Sequence, residues 1–411
     1  MQNVVVVGGG PAGMMSAVQA ARRGLNVTIL EHNEKLGKKL FISGKGRCNI
    51  TNDADILDFF QQIPRNPKFL YSALYGFTND QLCALLHEWG VPTKVERGGR
   101  VFPCSDKSSD VIAAFSRQLR KWNVQTQFRA HVTDILHADG KVLGVRLQNK
   151  QEIAADAVVI ACGGMSYPQT GSIGNGYTLA KACGHTMTEI RPSLVPVQTA
   201  EAWPAQAQGL SLRNVKLTAF EGKQIVFQEQ GEMLFTHYGV SGPLVLSCSA
   251  HIQKPENTVL SIDLKPALSV EKLDARIRRE IESNGKRHYQ NMLVELLPSK
   301  LIPIFVQVSA IPFDKRAADL NRADREMIVF LLKNMRMSIK AFRPIAEAIV
   351  TRGGVDVKEV NPSTMESKKM QGLYFAGEVL DVDAYTGGFN LQIACSTGYL
   401  AGQSIGNGGD K

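Results

Sequence analysis

The chain has 411 residues, of which 44% are apolar and 21% are charged, and it carries a formal net charge of +9. This composition is typical of an ordinary soluble globular protein of two or three domains. No apolar run approaches the roughly 18 residues of a membrane span, and the seven scattered cysteines contain no C-x-x-C pair, so we expect no transmembrane helix, disulfide framework, zinc site or redox-active dithiol.

The positive charge is concentrated in one region. Residues 268–343 hold 15 Lys/Arg and 9 Asp/Glu, which accounts for six of the nine excess charges. Such a run usually forms a solvated helical face, and the alternative is a surface that steers an anionic substrate, nucleotide or RNA. Aromatic residues are not interleaved there as RNA-stacking modules require, which disfavours nucleic acid as a partner.

The start of the chain carries the most specific pattern, VVVVGGGPAGMMSAVQAARRGLNVTILE over residues 4–31. A β-branched run enters the spacing Gly8-x-Gly10-x-x-Gly13, a helical stretch follows, and a second apolar run ends in Glu31. In a dinucleotide-binding β-α-β unit these glycines allow the tight turn, the approach to a pyrophosphate and the packing of helix on strand. Glu31 is placed to bind ribose hydroxyls and disfavours NADP, so FAD and NAD both remain open.

The first strand is predicted to begin by residue 4, which leaves no space for a signal or transit peptide. We therefore expect a cytoplasmic protein.

Helical and strand patterns alternate after this unit. The segment NDQLCALLHEWG predicts a helix with Thr78 or Asn79 as its N-cap, and residues 108–122 have an amphipathic helical period. Residues 132–154 predict a three-strand meander with an Asp-Gly hairpin turn. Residues 157–161, AVVIA, are typical of a buried parallel strand.

Shifts in the pattern predict an α/β fold whose first domain is interrupted. Short alternating segments with Pro breaks begin near residue 193, helical periods begin near residue 268, and a late strand at 372–378 leads to a helix from about Asn390. The predicted domains are residues 1–192 and 345–411 (dinucleotide-binding), 193–267 and 336–344 (β-rich insert) and 268–335 (helical subdomain).

Five segments give the chain a family resemblance. They are SGKGRCNITN (43–52), GRVFP (99–103), CGGMSYPQTGSIGNGY (162–177), FTHYGVSGP (235–243) and GLYFAGEVLDVDAYTGGFNLQIACSTGYLAG (372–402). The chain resembles the HI0933-like flavoprotein family, also described as BaiN/YhiN-type NAD(P)/FAD-dependent oxidoreductases. The resemblance implies a two-dinucleotide-binding-type FAD Rossmann domain, interrupted by a β-barrel-like domain and a small helical domain.

The same resemblance implies FAD as the resident cofactor. The sequence has no second nucleotide fingerprint, so NAD(P)H would visit a less specialised surface as a transient reductant. Lys45 and Arg47 would reach phosphate or flavin carbonyls, and the helix after Gly388 would direct its N-terminus at the flavin. The residues predicted to bind the cofactor are Gly8, Gly10, Pro11, Ala12, Gly13, Glu31, Lys39, Gly44, Lys45, Gly46, Arg47, Cys48, Asn49, Val132, Gly163, Gly164, Gly377, Glu378, Gly388, Phe389, Asn390, Leu391 and Gln392.

The sequence favours an FAD-dependent oxidoreductase that transfers a hydride between flavin N5 and a small organic substrate. A proton donor is harder to identify: Tyr385, beside the glycine turn, is a weak candidate, and Tyr167, Tyr238 and His237 are its rivals. The alternatives are an RNA-modifying flavoenzyme, which the basic charge allows, and a non-enzymatic redox sensor whose inserted domains respond to the flavin state.

Overall fold

The computed structural model describes residues 2–406, so Met1 and residues 407–411 of the predicted dinucleotide-binding domain lie outside the described residues. The chain divides into two compact units. The first unit contains the residues up to Ser193 together with those from Ile345 on, and the inserted unit is Leu194–Pro344.

The strands in chain order are β1 (Asn3–Val7), β2 (Asn26–Glu31), β3 (Thr51–Asn52), β4 (Thr93–Glu96), β5 (Arg100–Pro103), β6 (Gln125–Phe128), β7 (Val132–Ala138), β8 (Lys141–Leu147), β9 (Glu152–Ala154), β10 (Ala157–Ile160), β11 (Arg191–Ser193), β12 (Val197–Thr199), β13 (Ser211–Glu221), β14 (Gln224–Thr236), β15 (Gly239–Ser241), β16 (Thr258–Asp263), β17 (Met335–Phe342), β18 (Val350–Arg352) and β19 (Leu373–Phe375). The helices are α1 (Pro11–Arg22), α2 (Lys38–Ile42), α3 (Ile56–Gln61), α4 (Tyr71–Gly76), α5 (Asn79–Glu88), α6 (Ser108–Lys121), α7 (Asn175–Ala182), α8 (Trp203–Gln206), α9 (Pro243–Ser249), α10 (Val270–Asn284), α11 (Tyr289–Met292), α12 (Ile302–Ser309), α13 (Arg322–Lys333) and α14 (Phe389–Ser404).

The first unit is built on a five-stranded parallel sheet in the order β19-β10-β1-β2-β6. The all-valine part of β1 is buried, and Val6 pairs with Val159 of β10 on one side and Ile29 of β2 on the other. A central parallel strand is covered on both faces, which is why its sequence is a continuous apolar run. The predicted Rossmann-type β-α-β unit is therefore confirmed.

Helices α1 and α14 pack closely in the same unit. A Cβ atom on Gly398 would collide with the carbonyl oxygen of Ala12, and one on Gly402 would press on the carbonyl oxygen of Ser16 at 2.5 Å. Because both positions are glycine, the two helix backbones can approach, which places the first turn of α1 against the middle of α14.

Local signals read from the sequence also appear in this unit. Thr78 is the N-cap of α5: its hydroxyl accepts from Gln81 N–H at 3.3 Å, and the Gln81 side chain accepts from Thr78 N–H at 2.8 Å. The predicted meander is β7-β8-β9, and its Asp139-Gly140 turn has φ values of 50° and 72°, as an Asp-Gly hairpin requires.

The inserted unit contains a closed six-stranded barrel in the order β12-β15-β14-β13-β16-β17. Helices α10 to α13 do not form a further unit, because their buried side chains join the core of the barrel: Leu273 and Phe305 belong to the same apolar cluster as Leu217 and Ile262. The β-barrel prediction is confirmed, whereas the separate helical subdomain is not.

Among residues 2–406, the helices are all too short or too polar to span a bilayer.

Candidate functional site

A cavity of about 660 Å³ opens at the carboxyl ends of β1, β2, β10 and β19 in the first unit. The carboxyl edge of an open parallel sheet is where α/β proteins bind ligands, and cavities of about 300–1,000 Å³ hold cofactors. Further parts of the wall come from α2, the loop after it, the N-terminal turn of α14 and the segment between β10 and α7.

The glycine turn between β1 and α1 forms one end of the cavity. Gly8 has a φ of 107°, and a Cβ there would lie 2.6 Å from the carbonyl oxygen of Ala161. A Cβ on Gly13 would collide with the carbonyl oxygen of Gly8, whereas one on Gly10 would meet nothing within 4 Å. Gly8 and Gly13 are therefore required by the fold, while Gly10 keeps space open at the uncapped N-terminus of α1.

Glu31 lies beside this turn and is only 5% exposed. Its carboxylate accepts hydrogen bonds from Gly9 N–H at 2.7 Å and from the backbone and side-chain amides of Asn33, each at 2.8 Å. The Asn33 amide also donates to the carbonyl of Thr170 at 3.1 Å. Glu31 thus links the end of β2 to the glycine turn and to the loop before α7.

An ion pair crosses the cavity wall between α2 and the turn after β19. Lys39 Nζ lies 2.7 Å from Glu378 Oε2 and 2.6 Å from the hydroxyl of Ser166. Glu378 Oε1 accepts from Thr351 N–H at 2.7 Å. Both charged side chains are about one-quarter exposed or less, so the pair is shielded from solvent on most sides.

The loop after α2 has a backbone conformation that few residues other than glycine adopt. Gly44, Lys45 and Gly46 have φ values of 56°, 59° and 85°, and Cys48 has a φ of 64°. Positive φ strains a residue with a side chain, and such strain is common at ligand sites. Lys45 lines the cavity.

Arg47 in the same loop does not line the cavity. Its guanidinium donates to Asp106 Oδ1 at 2.9 and 2.6 Å and to the two Glu96 oxygens at 2.5 and 3.2 Å, and it lies 4.2 Å from the centre of the Phe102 ring. Bonds to Glu96 and Asp106 raise its pKa further above the usual range. The Arg47 N–H groups that were expected to reach a cofactor therefore donate to Glu96 and Asp106 instead.

The N-terminus of α14 forms the opposite end of the cavity. The helix begins after Gly388, whose φ is 104°, and has no side-chain cap. The side chain of Asn390 accepts from Ala384 N–H at 2.9 Å and donates to the carbonyls of Ala384 at 2.6 Å and Tyr385 at 3.2 Å. These bonds fix the turn that presents Tyr385 and Thr386 to the cavity.

The two helix N-termini are separated along α14. Gly398, which packs on Ala12 at the start of α1, is nine residues beyond Phe389. At 1.5 Å per residue, this places the N-terminus of α14 about 13 Å from the level of the glycine turn. One cavity therefore offers two distinct sites for negative charge.

Sixteen of the predicted cofactor-binding residues line this cavity: Gly8, Gly10, Pro11, Ala12, Glu31, Lys39, Gly44, Lys45, Asn49, Val132, Gly163, Gly377, Glu378, Gly388, Asn390 and Leu391. Seven do not line it: Gly13, Gly46, Arg47, Cys48, Gly164, Phe389 and Gln392.

Several of these seven residues have structural contacts. The Gln392 side chain accepts from the Thr51 hydroxyl at 2.8 Å and donates to the Phe77 carbonyl at 3.0 Å. Phe389 packs edge-on against Phe59. Burial raises the pKa of the Cys48 thiol to about 12, which keeps it protonated and unreactive.

The cavity also contains residues that the sequence did not single out, including Gly9, His32, Asn33, Lys38, Asn175 and Thr386. Asn175, the first residue of α7, has a buried side-chain oxygen with no hydrogen-bond partner among the described residues. Buried polar atoms nearly always have a partner, so this oxygen is available to a ligand. The sequence signal that indicates Asn175 is its position in the segment SIGNGY, directly before a helical run.

The proton-donor candidates occupy different places. Tyr385 and Tyr167 both line the cavity. Tyr385 lies beside the N-terminus of α14, whereas Tyr167 lies close to Thr170, whose carbonyl is bonded to Asn33. Tyr238 belongs to the inserted unit, where the Arg343 guanidinium lies 4.6 Å from its ring, and His237 contacts the edge of that ring.

Comparisons with known proteins agree with this architecture. A family model described as "HI0933-like protein Rossmann domain" matches residues 2–404. A 3-dehydro-bile acid delta(4,6)-reductase of Clostridium scindens is 33% identical over 410 residues, which cover 98% of this chain and 99% of that protein. A ribosomal RNA dihydrouridine synthase of Haemophilus influenzae is 32% identical over 406 residues, 98% of each chain.

A solved structure shares the fold across the whole chain. It is a 3-ketosteroid delta1-dehydrogenase of Sterolibacterium denitrificans, with a TM-score of 0.52 and 13% identity, covering 98% of this chain and 99% of that one. At this identity the likeness concerns the fold alone.

Proposed function

The chain belongs to the HI0933-like Rossmann-domain family, and from this membership we propose that it is an FAD-dependent reductase of a carbon–carbon double bond in a small organic substrate. Two similar relatives are named for related chemistry: one for reducing delta(4,6) double bonds, the other for making dihydrouridine. Reduction of a double bond is the chemistry that these two names have in common.

The cavity fits FAD. The open space at Gly10 and the uncapped N-terminus of α1 suit a pyrophosphate. The unpartnered oxygen of Asn175 and the buried carboxylate of Glu31 can accept hydrogen bonds from hydroxyl groups. The second N-terminus, about 13 Å along α14 from the level of the glycine turn, suits the polar edge of a flavin ring. The observation that carries the proposal is this pair of helix N-termini facing one cavity.

FAD bound there would supply hydride transfer, with NAD(P)H as the proposed transient reductant. The protein's own part is to bind, to orient and to provide a proton. The Asn390 bonds hold the turn that carries Tyr385, and Tyr385 lies at the α14 end of the cavity, where we propose that the flavin ring binds. We propose that the Tyr385 hydroxyl gives a proton to the substrate carbon that does not receive the hydride.

The test is an acceptor assay. Protein-bound FAD is reduced anaerobically with NADPH or NADH, and an α,β-unsaturated ketone or its saturated analogue is added. We expect the visible flavin absorbance to return only with the unsaturated ketone, and the product to gain two hydrogens by mass spectrometry. If the unsaturated ketones tested restore the absorbance no faster than the saturated analogues, the proposed activity is wrong.

A second candidate substrate is RNA, favoured by a basic surface on the inserted unit. The backbones of His288 and Arg316 are bridged, which brings Lys286, Arg287 and Arg316 together, and all are exposed. Phosphate contacts make binding strongly salt-dependent. Ribosomal RNA fragments should therefore bind at low salt and be released as salt rises, and Arg287→Gln with Arg316→Gln should reduce that slope. A protein that shows no binding at low salt would exclude this candidate.

A further inference from the structure

Three lysines line the cavity, and two of them are engaged. Lys38 Nζ donates to Asn33 at 3.2 Å and pairs with Glu34 at 3.4 Å. Lys39 Nζ is held by Ser166 and Glu378. Within residues 2–406, the ammonium group of Lys45 makes neither a hydrogen bond nor an ion pair, although the residue faces the cavity. It is therefore available to a negative charge on a ligand.

The position of Lys45 is imposed by its neighbours. Its own left-handed backbone, with a φ of 59°, is unfavourable for a residue with a side chain, so the surrounding structure must hold it. Arg47, two residues later, connects this loop to two other elements. Its guanidinium joins the loop to Glu96 at the end of β4 and to Asp106 after β5. Lys94 also bonds Asp106, at 2.6 Å, which fixes that carboxylate.

The loop contacts the α14 end of the cavity. In the orientation that satisfies its neighbours, the Asn49 amide oxygen accepts from Gly388 N–H at 3.0 Å. The Asn52 amide donates to the carbonyl of Gly387 at 3.1 Å. Since the N-terminus of α14 is about 13 Å from the level of the first turn of α1, these two contacts lie away from the proposed pyrophosphate site.

We propose that Arg47 is a positioning residue that holds the Lys45 ammonium at the flavin end of the cavity, where Lys45 raises the reduction potential of bound FAD. This inference rests on the proposed function. On two-electron reduction, a flavin ring gains negative charge at its pyrimidine edge, and a cation a few ångström away stabilises that charge. The Lys45 ammonium and the uncapped N-terminus of α14 both stabilise negative charge on this pyrimidine edge.

The test is the midpoint potential of bound FAD, measured by anaerobic dye equilibration. Lys45→Met should make reduction at least about tenfold less favourable, which is about 30 mV for a two-electron couple. Lys45→Arg should restore most of the difference. Lys38→Met removes the same charge from the Asn33 end of the cavity and should leave the potential within about 10 mV of wild type, a third of the shift expected for a tenfold change.

The double variant tests the role of Arg47. If Arg47 acts through Lys45, Arg47→Gln should lower the potential, and Lys45→Met with Arg47→Gln should be no lower than Lys45→Met alone. An unchanged potential in Lys45→Met would overturn the inference, and this exposed site should not affect folding. Wild-type protein that binds no FAD would instead refute the proposed function.

Discussion

Lys39 on α2 and Glu378 after β19 are 339 residues apart in the chain, yet their side chains meet at 2.7 Å in the cavity wall. Glu378 also accepts from Thr351 N–H, so the pair joins three separate segments of the first unit. Removal of one partner leaves a partly buried charge without compensation, which is costly.

We expect Glu378→Gln to lower the free energy of unfolding of the FAD-free protein by about 1–2 kcal/mol. Lys39→Met should cost a similar amount, and the double variant should cost less than the sum by about 1 kcal/mol. Urea denaturation of the four proteins measures this coupling. Strictly additive losses would show that the ion pair contributes nothing to stability.

A substitution at Gly10 in the glycine turn should weaken FAD binding without affecting folding. Gly10→Ala places a methyl group where no protein atom beyond its two chain neighbours lies within 4 Å, so thermal stability without FAD should be unchanged. The same methyl group occupies the proposed pyrophosphate space, and the FAD dissociation constant should rise about tenfold, or 1.4 kcal/mol.

Gly76→Ala is the matched control for this variant, because Gly76 is exposed at the end of α4 and also has nothing within 4 Å of an added Cβ. It should leave FAD binding unchanged. Equal FAD affinity in Gly10→Ala and wild type, measured by fluorescence titration, would place the cofactor elsewhere.

Tyr385→Phe tests the proton donor. Loss of the hydroxyl should reduce the turnover number at least about 100-fold, the scale of general acid catalysis, while FAD binding and reduction by NAD(P)H stay unchanged. Tyr75→Phe, at an exposed tyrosine on α4, is the control. Wild-type turnover in Tyr385→Phe would show that Tyr385 is not the proton donor and would leave Tyr167 or solvent as the donor.

Glu359 makes the first unit sensitive to acid. Burial opposes ionisation of this carboxyl, but Lys369 at 2.6 Å and two bonds from Thr186, each 2.8 Å, outweigh it and lower the pKa to about 2. Since this pKa lies below the ordinary 4.5, the unfolded chain binds a proton first as the pH falls. The stability from Glu359 is complete above about pH 4.5 and is lost as the pH falls towards 2.

Glu359→Gln should therefore lower stability at pH 7 and flatten its decline between about pH 4.5 and 2. The exposed Glu88→Gln is the control. His185, 3.2 Å from Glu359, is buried, which lowers its pKa, so the stability contributed by its neutral form is present above about pH 6.5 and is lost as the pH falls below that value. Chemical denaturation at several pH values measures both, and an unchanged acid slope in Glu359→Gln would contradict the assignment.

The sequence predicted those features of the fold that depend on short-range geometry. The spacing of Gly8 and Gly13 predicts the β-α-β turn because each glycine faces backbone only a few residues away or on the adjoining strand. The Thr78 cap and the Asp139-Gly140 turn are local for the same reason.

What the sequence did not predict depends on distant partners. Arg47 has the chemistry of a phosphate ligand, but its partners Glu96 and Asp106 are 49 and 59 residues away, and only the fold brings them together. Helices α10 to α13 have the period of a helical subdomain, yet their apolar faces complete the core of the barrel. No pattern in the chain predicts that shared core.

Anaerobic titration of the purified protein with NADPH and then NADH, followed by visible flavin absorbance, tests the central claim most directly. The account predicts that the protein carries FAD and that at least one nicotinamide nucleotide bleaches it. Protein that contains no flavin and cannot bind FAD would contradict the cofactor assignment. Bleaching by dithionite but by neither nucleotide would contradict the proposed NAD(P)H-linked reduction.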